Sequence, residues 1–363
     1  MKIKSLKLKN YRNYETLSLN LEDAANIFYG DNAQGKTNIL EAIYMTGTTK
    51  SHRGAKDREM IRFGCEESHL ETIVSKNGID YQIDMHLKKN GSKGIAINKV
   101  PIRRASELFG IVNLVFFSPE DLNVIKNGPS ERRRFIDMEL SQIDKVYMSN
   151  LANYNKIVNQ RNHLLKEMSF GKNDTLESTL DVWDMQLVNY GNKIRNRRMD
   201  FIEDMNKIVS NIHSNLTGDR ESIRLIYEIH NSGLSLEGAL KKNREKDIRL
   251  KSTSTGPHRD DICFMTGELD LRKYGSQGQQ RTAALSLKLS EIELVKREIH
   301  DTPILLLDDV LSELDKNRQN YLLDNIHDIQ TLITCTGVEE FVNHRFSINK
   351  VFKVHEGQII GEN

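Results

Sequence analysis

The stretch GDNAQGKT, Gly30 to Thr37, fits the pattern GxxxxGK[ST] and lies between an apolar strand, Ile27 to Tyr29, and a helix starting at Asn38. Glycines let the backbone turn so that successive N–H groups face phosphate oxygens, and the helix start adds partial positive charge. We expect Lys36 to reach the β- and γ-phosphates and the Thr37 hydroxyl to bind Mg²⁺. The stretch therefore predicts an α/β nucleotide-binding fold, with phosphate contacts from Gly30, Asp31, Asn32, Ala33, Gln34, Gly35, Lys36, Thr37 and Asn38.

An acidic motif follows an aliphatic run near the other end of the chain, in PILLLDD from Pro303 to Asp309. The carboxyl ends of buried parallel strands meet at one edge of a sheet, where a phosphate loop also begins. We expect Asp308 to hold Mg²⁺ and Asp309 to act as the catalytic base, with Lys36 as the second catalytic residue. Two adjacent carboxylates could also mark a strand that ends in solvent, but the phosphate loop disfavours that interpretation. Ser312 to Asp315 has the [ST]-x-x-[DE] pattern of a helix N-cap.

The composition is that of an ordinary folded protein. The 363 residues suffice for two or three domains, and 38% are hydrophobic. The 52 basic and 51 acidic side chains nearly cancel, so any nucleic-acid site must be a local patch. Cys65, Cys263 and Cys335 lack metal-ligand spacing and are expected to be plain thiols in a reducing cytoplasm. No apolar run approaches the roughly 20 residues of a membrane span, so we expect a cytoplasmic protein without a membrane partner.

The order of these patterns predicts a discontinuous head domain with an insertion. Residues 1–117 are β-rich, and Asn-Gly pairs separate the alternating segments of a β-meander at about 68–102. Strand signals are few between 118 and 239, and the α/β pattern returns from about 240. We therefore predict a head built from residues 1–117 and 240–363, interrupted by an α-helical arm at 118–239.

The predicted arm carries two series of apolar residues at helical spacing. They run from Ile136 to Val158 and from Trp183 to Ile212, on either side of the polar stretch SFGKND. Two stripes of comparable length predict an antiparallel arm with limbs of roughly 40–60 Å. A compact helical subdomain is the alternative.

A glycine- and glutamine-rich stretch, KYGSQGQQRTAAL from Lys273 to Leu285, precedes a further helix. Leu285, Leu289, Ile292 and Val295 recur at helical spacing, which predicts one buried face. Glycines permit close backbone approach, glutamines carry no charge, and the N–H groups of a helix start suit an anion. The stretch is therefore expected to sense a phosphate.

Together, GDNAQGKT, SQGQ at 276–279 and LLLDDVLSELD resemble the P-loop ATPase head of the ABC and SMC class. The chain is more closely similar to the bacterial RecF recombination-mediator family, in LKNYRNY at 8–14, TKSHRG at 49–54, FFSPEDL at 116–122, GPSERRRFID at 128–137, TGPHRDD at 255–261 and YGSQGQQR at 274–281. The resemblance implies that two ATP molecules are sandwiched in a homodimer, where Ser276, Gly278 and Gln279 bind the partner subunit's ATP. It also implies that Arg12 binds nucleotide and that Ser312 and Asp315 belong to the D-loop.

The resemblance implies an ATP-dependent DNA-binding protein. Similar proteins dimerise on ATP, hydrolyse it slowly and act with RecO and RecR to help load RecA at single-strand gaps, in DNA repair, replication restart and the SOS response. Many ABC ATPases have glutamate where Asp309 stands and a switch histidine where Thr334, Cys335 and Thr336 stand. We therefore expect a weak, DNA-stimulated ATPase that uses ATP mainly as a dimerisation switch.

Basic clusters are the candidates for DNA phosphate contacts. They are Lys50, Arg53, Lys56, Arg58 and Arg62 after the phosphate-loop helix, Arg103 and Arg104 after the meander, and Arg132 and Arg133 at the start of the arm. Charge runs are also typical of solvated faces and ion pairs. The stretch His258 to Asp261 lacks a second histidine at ligand spacing, so we expect it to make structural hydrogen bonds.

Other ATP-binding classes share parts of this pattern. A transporter's nucleotide-binding engine needs neither the arm nor the hairpins between the ATPase motifs. An SMC-like protein would have far longer limbs than the roughly five heptads available here. A non-catalytic ATP-binding scaffold stays open because Asp309 is shorter than glutamate.

Overall fold

The computed structural model describes residues 1–171, 174–231, 233–337 and 348–362, and the chain forms two compact units. The first unit contains residues 1–122 and 288–363, and the second contains residues 123–287. In chain order the strands and helices are β1 (Lys2–Tyr11), β2 (Tyr14–Asn20), β3 (Ala25–Tyr29), α1 (Lys36–Thr48), β4 (Glu67–Lys76), β5 (Ile79–Lys88), β6 (Gly94–Ile97), β7 (Val100–Pro101), β8 (Leu114–Phe117), α2 (Pro129–Ile143), α3 (Lys145–Met168), α4 (Asp174–Thr217), β9 (Arg224–Glu228), α5 (Leu236–Leu250), β10 (Asp261–Thr266), β11 (Leu269–Asp270), α6 (Leu271–Tyr274), α7 (Gln277–Ile299), β12 (Ile304–Asp308), α8 (Lys316–Asp324), β13 (Thr331–Cys335), β14 (Ile348–His355) and β15 (Gln358–Glu362).

A largely parallel six-stranded sheet forms the core of the first unit, in the order β15-β14-β3-β13-β12-β8. Only β15 runs antiparallel to its neighbour. Strands β12 and β13 are buried at every position, as expected where both faces of a parallel sheet are covered. Their aliphatic sequences, ILLLD and TLITC, therefore serve the core, and the predicted α/β head fold is confirmed.

A second six-stranded sheet, β2-β1-β4-β5-β6-β7, is antiparallel throughout. Buried and exposed residues alternate along β4, because one face of the strand packs on the core and the other faces solvent. Asn77 and Gly78 join β4 to β5 with φ angles of 51° and 77°, the left-handed conformation that a tight hairpin turn requires. The meander predicted at about 68–102 is confirmed.

The second unit contains three main helices before β9, and they differ in length. Helices α2, α3 and α4 have 15, 24 and 44 residues, so α4 alone extends about 66 Å. The prediction of two limbs of comparable length was wrong. The chain breaks at Asp144, whose side chain accepts a hydrogen bond from the Tyr147 N–H and caps α3. Residues 172 and 173 of the SFGKND stretch lie outside the described residues.

The second unit is longer than the predicted arm and continues to residue 287. Strands β9, β10 and β11 form a separate antiparallel sheet, and β9 packs against α4. The strand and helix patterns after 240 were assigned to the head, but they complete the inserted unit. The arm predicted to start at 118 starts at 123, whereas the boundary predicted at 240 was wrong, because periodicity identifies elements without identifying the body that they join.

Buried charges connect the elements of the second unit. Arg161 of α3 has no exposed side-chain surface, and its Nε lies 2.6 Å from an Asp184 oxygen. Its Nη1 lies 2.7 Å from Asp247 of α5, whose side chain is also fully buried. A buried guanidinium needs such partners, because an unpaired buried charge is strongly destabilising.

A second ionic contact explains the stretch from His258 to Asp261. Asp260 accepts two hydrogen bonds from Arg195 of α4, at 2.7 and 2.9 Å. The ring of His258 contacts the Tyr154 hydroxyl at 2.7 Å, and burial lowers the pKa of His258 to about 4, which keeps the ring neutral. The prediction of structural hydrogen bonding is confirmed.

Helix α7 is buried on most of its surface, although one buried face was predicted. The predicted stripe of Leu285, Leu289, Ile292 and Val295 is buried, but so are Ser286, Leu287 and Ser290 between its members, and Ala283 and Ala284 just before it. Small residues allow close packing on several sides, and a helix that is apolar all round is typically internal. No helix in the described ranges is both long and apolar enough to cross a membrane.

We predict that Arg161→Ala destabilises the second unit by about 3–5 kcal/mol, because the fully buried Asp247 carboxylate loses its cation. Hydrogen exchange of peptides from α3 and α4 should then speed up more than that of the parallel sheet. Lys241→Ala breaks an exposed ion pair with Glu237 and should leave both regions unchanged. Equal exchange in the two variants would contradict the structural importance of the Arg161 contacts.

Candidate nucleotide site

The phosphate loop connects the buried strand β3 to helix α1 and depends on two glycines. Gly30 and Gly35 have φ angles of 148° and 113°, which L-residues rarely adopt. A Cβ at Gly30 would lie 2.3 Å from the Val354 carbonyl oxygen, and one at Gly35 would lie 2.6 Å from Nδ2 of Asn13. Both positions therefore require glycine for conformation and for space.

Two turns of the first unit hold the loop in place. Asn13, in the β1–β2 turn, donates to the Gln34 carbonyl at 2.9 Å, and the buried Tyr14 hydroxyl donates to the Gly35 carbonyl at 3.1 Å. The N–H of Gly357, in the β14–β15 turn, donates to the Gln34 carbonyl at 3.0 Å. These contacts use loop carbonyls, so they fix the loop without using the N–H groups that would face phosphate. Asn13 and Tyr14 lie within the LKNYRNY motif, but sequence reasoning did not assign them this function.

Lys36 lies inside the loop and is 7% exposed. Its ammonium group donates to the carbonyls of Gly30 and Asp31. The residues at the loop tip, from Asp31 to Ala33, are exposed. A cation enclosed by a loop of backbone dipoles suits a phosphate. The contact of Lys36 with the β- and γ-phosphates stays a prediction.

Asp308 and Thr37 come together at the carboxyl edge of the parallel sheet. The Thr37 hydroxyl donates to an Asp308 carboxylate oxygen at 2.8 Å, and the Thr334 hydroxyl donates to the same oxygen at 2.7 Å. Burial raises the pKa of Asp308 above its usual range, although both hydroxyls oppose this shift. A buried carboxylate beside a hydroxyl is an oxygen donor set that suits Mg²⁺, which retains several of its water ligands.

Thr334 is a member of the site that sequence reasoning missed. It pairs directly with Asp308 across β12 and β13, and its hydroxyl also accepts the Asp309 N–H at 3.0 Å. In the sequence analysis, Thr334 was noted only because many ABC ATPases have a switch histidine in this segment. Pairing between strands, which connects the two residues, cannot be derived from local spacing.

Asp309 directly follows Asp308 and has a left-handed conformation, with φ of 53°. Burial raises the pKa of its carboxyl group, and the charge of Lys36 opposes the shift. The carboxylate is thus near the phosphate-loop cation in the same unit. Its function as catalytic base stays a prediction.

The segment after Asp309 differs from the predicted cap. The Ser312 hydroxyl donates to the Asp309 carbonyl at 2.8 Å, within a short 3-10 turn. Asp315 is the N-cap of α8 and accepts the Arg318 N–H at 3.0 Å. Asp315 therefore caps the helix in place of Ser312, and the D-loop function of both residues stays a prediction.

Arg12 makes an ion pair beside the loop. Its guanidinium donates twice to the buried Glu41 carboxylate of α1, both times at 2.7 Å, and once to the Glu59 carbonyl at 2.9 Å. The hydrogen bonds from Arg12 and Ser51 hold the pKa of Glu41 below its usual value, despite the opposing effect of burial. The predicted contact of Arg12 with nucleotide stays a prediction.

The SQGQ signature lies in the second unit at the start of α7. Ser276 and Gln279 form a reciprocal capping box: the Ser276 hydroxyl accepts the Gln279 N–H at 3.2 Å, and the Gln279 side chain accepts the Ser276 N–H at 3.0 Å. The Gln279 amide also donates to Glu221 at 3.1 Å. The N–H of Gln279 is therefore already used, which differs from the predicted open helix start, although Ser276 and Gly278 are exposed.

The basic candidates for DNA contact differ in exposure. Those exposed are Lys50, Arg53, Lys56, Arg58, Arg103 and Arg104. Arg62 is half-buried, 3.3 Å from Glu15. Arg132 is 4% exposed, and its guanidinium donates to both Asp261 oxygens at 2.7 and 2.9 Å. Its predicted DNA contact was wrong, because its charge is used internally. Arg133 is half-buried and donates to the Asp260 carbonyl at 2.9 Å.

We predict that Asp308→Asn raises the Tm of the nucleotide-free protein, because it removes a carboxylate charge whose burial is unfavourable. Because folding raises this carboxyl pKa, ionised Asp308 destabilises the fold above the folded pKa, and the penalty disappears on acidification towards the unfolded value. The gain should thus be present at pH 7.5 and shrink at acid pH. Asp328→Asn, at an exposed site, should change Tm at neither pH. A lower Tm for Asp308→Asn at pH 7.5 would contradict the unfavourable burial of this charge.

Comparisons with known proteins agree with this geometry. The RecF/RecN/SMC N-terminal domain model matches residues 2–359. The DNA replication and repair protein RecF of Lachnospira eligens is 62% identical over 363 residues and 100% of both chains, and that of Agathobacter rectalis is 60% identical over 359 residues and 99% of both chains.

Solved structures give the same result. A structure of the recombination mediator protein RecF with ATP, in the RecFOR pathway, has a TM-score of 0.91 at 35% identity and covers 99% of this chain and 97% of its own. An Smc head domain from Pyrococcus furiosus has a TM-score of 0.56 at 17% identity, covers 98% of this chain and 94% of its own, and shares the fold alone. With a phosphate loop and acidic strand end that meet as in a P-loop ATPase head, the chain belongs to the RecF family.

Proposed function

We propose that this chain is an ATP-dependent DNA-binding protein of DNA replication and repair, in which ATP mainly controls dimerisation. The observation that carries the proposal is the 2.8 Å contact between the Thr37 hydroxyl and the Asp308 carboxylate. It joins the phosphate loop to the acidic strand end, which are the two parts that a Mg²⁺–ATP site requires. The names of the similar RecF proteins support the assignment to replication and repair.

ATP would bind with its phosphates against the N–H groups of residues 30–37. Lys36 would exchange its two carbonyl acceptors for phosphate oxygens, which offer full negative charges. Thr37 and Asp308 would hold Mg²⁺, which neutralises charge on the β- and γ-phosphates. The solved complex of a RecF protein with ATP supports this choice of nucleotide.

Hydrolysis is proposed to be slow and DNA-stimulated. Asp309 would orient the attacking water, but its side chain is one methylene shorter than the glutamate of many ABC ATPases. Its raised pKa favours proton acceptance, whereas its shorter reach limits the geometry that general-base catalysis needs. ATP would therefore remain bound long enough to act as a dimerisation switch.

Dimerisation would use the signature at the start of α7. Ser276, Gly278 and Gln279 would bind the γ-phosphate held by the partner subunit. The capping box supports this function because it holds the exposed helix start in one conformation before a phosphate arrives. A phosphate would then compete with the Ser276 hydroxyl for the Gln279 N–H.

DNA would contact the exposed basic residues of the first unit. Lys50, Arg53, Lys56 and Arg58 belong to one stretch after α1, and such side chains give sequence-independent, salt-sensitive binding to phosphates. We further propose binding at single-strand gaps and junctions, and cooperation with RecO and RecR to load RecA, in repair, replication restart and the SOS response. The placement of a similar RecF structure in the RecFOR pathway supports this part.

We predict that Lys36→Ala weakens ATP binding about 10- to 100-fold, the effect of losing a charged hydrogen-bond donor worth roughly 1.5–3 kcal/mol. Titration with a fluorescent ATP analogue measures this directly. Lys56→Ala removes an exposed lysine from the basic stretch and should keep ATP affinity while weakening DNA binding. Unchanged ATP affinity in Lys36→Ala would refute the nucleotide site.

We predict that Ser276→Arg abolishes ATP-dependent dimerisation but leaves ATP binding by the monomer unchanged. The bulky cation would occupy the space proposed for the partner's phosphate. Light scattering with ATP and with ADP tests this, and Ser178→Arg, the same change at an exposed serine of α4, should dimerise normally. Ser276→Ala separates the loss of the cap, about 1 kcal/mol, from the added bulk. Normal dimerisation of Ser276→Arg would refute the contact in trans.

A further inference from the structure

Three potential metal ligands converge on the exposed face of the meander, away from the phosphate loop in sequence. His69 of β4 and His86 of β5 are direct cross-strand partners. Glu67 lies two residues before His69 and therefore points to the same face of β4. The three ligand atoms lie within 4.8 Å of one another. The backbone register, and not a chance meeting of long side chains, brings this group together.

The contacts within the group are close. The two imidazole rings stack with centroids 4.0 Å apart and planes 21° apart. Nε2 of His86 lies 2.8 Å from one Glu67 oxygen, and Nε2 of His69 lies 3.6 Å from the other. The Glu67 carboxylate therefore already lies within hydrogen-bonding distance of His86, one of the two imidazoles beside it.

We propose that Glu67, His69 and His86 bind a divalent transition-metal ion of the Zn²⁺ type. Two imidazole nitrogens and one carboxylate oxygen are borderline ligands that suit Zn²⁺, Co²⁺ or Ni²⁺, whereas Mg²⁺ and Ca²⁺ prefer oxygen alone. Three protein ligands would leave a fourth position for water or another small ligand. The site is separate from the proposed Mg²⁺–ATP site in both residues and ligand chemistry.

Binding requires only a modest rearrangement of side chains. Tetrahedral Zn²⁺ with Zn–N distances of ~2.0–2.1 Å places its ligand atoms about 3.3 Å apart, and the rings must turn until their lone pairs converge. The side chains of Glu67, His69 and His86 are 54%, 47% and 31% exposed, so they can turn without disturbing the core. His69 and His86 line an open groove of about 590 Å³, which leaves room for the fourth ligand.

Charged side chains around the three ligands affect the expected affinity for the metal ion. Lys9 of β1 is the cross-strand partner of His69, and its positive charge opposes a second cation. The Glu67 carboxylate compensates for one charge of the metal ion. Among the residues that the structure describes, no other set of three histidine, cysteine or carboxylate groups has ligand atoms within this distance. Elsewhere in these ranges, the exposed pair His163 and Glu167 offers two ligands and provides a matched control.

A bound ion would link strand β4 to strand β5 at the open end of their hairpin. The connecting turn is at Asn77 and Gly78, and the His69–His86 pair lies near the other end of the two strands. A ligand that binds the folded state alone stabilises it in proportion to its free concentration. The metal would therefore protect the meander from unfolding without taking part in nucleotide binding.

The test uses the full-length, untagged, nucleotide-free protein in 1 mM Mg²⁺ at pH 7.5, titrated calorimetrically with Zn²⁺ and spectroscopically with Co²⁺. We expect one Zn²⁺ per chain and a Co²⁺ absorption band in the visible region. His69→Ala and His86→Ala should each weaken Zn²⁺ binding at least tenfold. His163→Ala should bind Zn²⁺ like the wild type. Circular dichroism without metal checks that all variants are folded.

The outcomes separate the possibilities. No saturable Zn²⁺ binding by the wild type, or equal affinity in His69→Ala and His163→Ala, would overturn the site. Glu67→Gln keeps the size of the side chain and removes its charge, so unchanged affinity in this variant would overturn the carboxylate as third ligand. Zn²⁺ should also raise the Tm of the wild type and not that of His86→Ala.

Discussion

The parallel sheet that brings Thr37 and Asp308 together is the constraint on which the organisation of the first unit depends. The two residues are 271 positions apart, yet their side-chain oxygens meet at 2.8 Å. This is possible only because strands from both ends of the chain share one parallel sheet, with β13 between β3 and β12. Everything between residues 123 and 287 must therefore leave the sheet and return to it. The discontinuous organisation follows from the site.

The second unit is held together by a different kind of contact. Its elements meet through buried arginines, of which Arg161 and Arg198 are almost fully enclosed. Arg198 donates to Asp137 and to the Pro257 carbonyl, both at 2.7 Å, and so joins α2 and α4 to the loop before β10. Buried ion pairs add little net stability but penalise any arrangement that leaves a charge unpaired. In this unit they select one way of packing the long helices against the small sheet.

These buried charges explain which parts of the structure could be predicted from sequence. The phosphate loop, the meander and the aliphatic strands each carry a local pattern, and all were predicted. Arg132 and Arg133 belong to the same basic run, but Arg132 is buried against Asp261, 129 positions away. Local charge cannot distinguish a guanidinium that meets a distant aspartate from one that meets DNA. The boundary at 287 was missed for the same reason, since such pairs tie α5 to α3, β10 to α2, and the residue before β10 to α4. The capping box of Ser276 and Gln279 was readable from its S-x-x-Q spacing, but we interpreted those residues only as a phosphate site.

The charges at the candidate nucleotide site are poorly balanced without a ligand. Asp308 and Asp309 are adjacent carboxyl groups whose pKa values burial raises, and the hydrogen bonds of the Lys36 ammonium go to backbone carbonyls. In the proposed function, Mg²⁺ and ATP satisfy both sides together, because the metal meets the carboxylate and the phosphate meets the ammonium. Neither ligand alone achieves this. Binding energy from this joint neutralisation is available before any bond of ATP is broken, whereas the short Asp309 side chain gives little help to hydrolysis. In the proposed function, the site is therefore better suited to stabilising an ATP-bound state than to rapid turnover, as a switch between monomer and dimer would require.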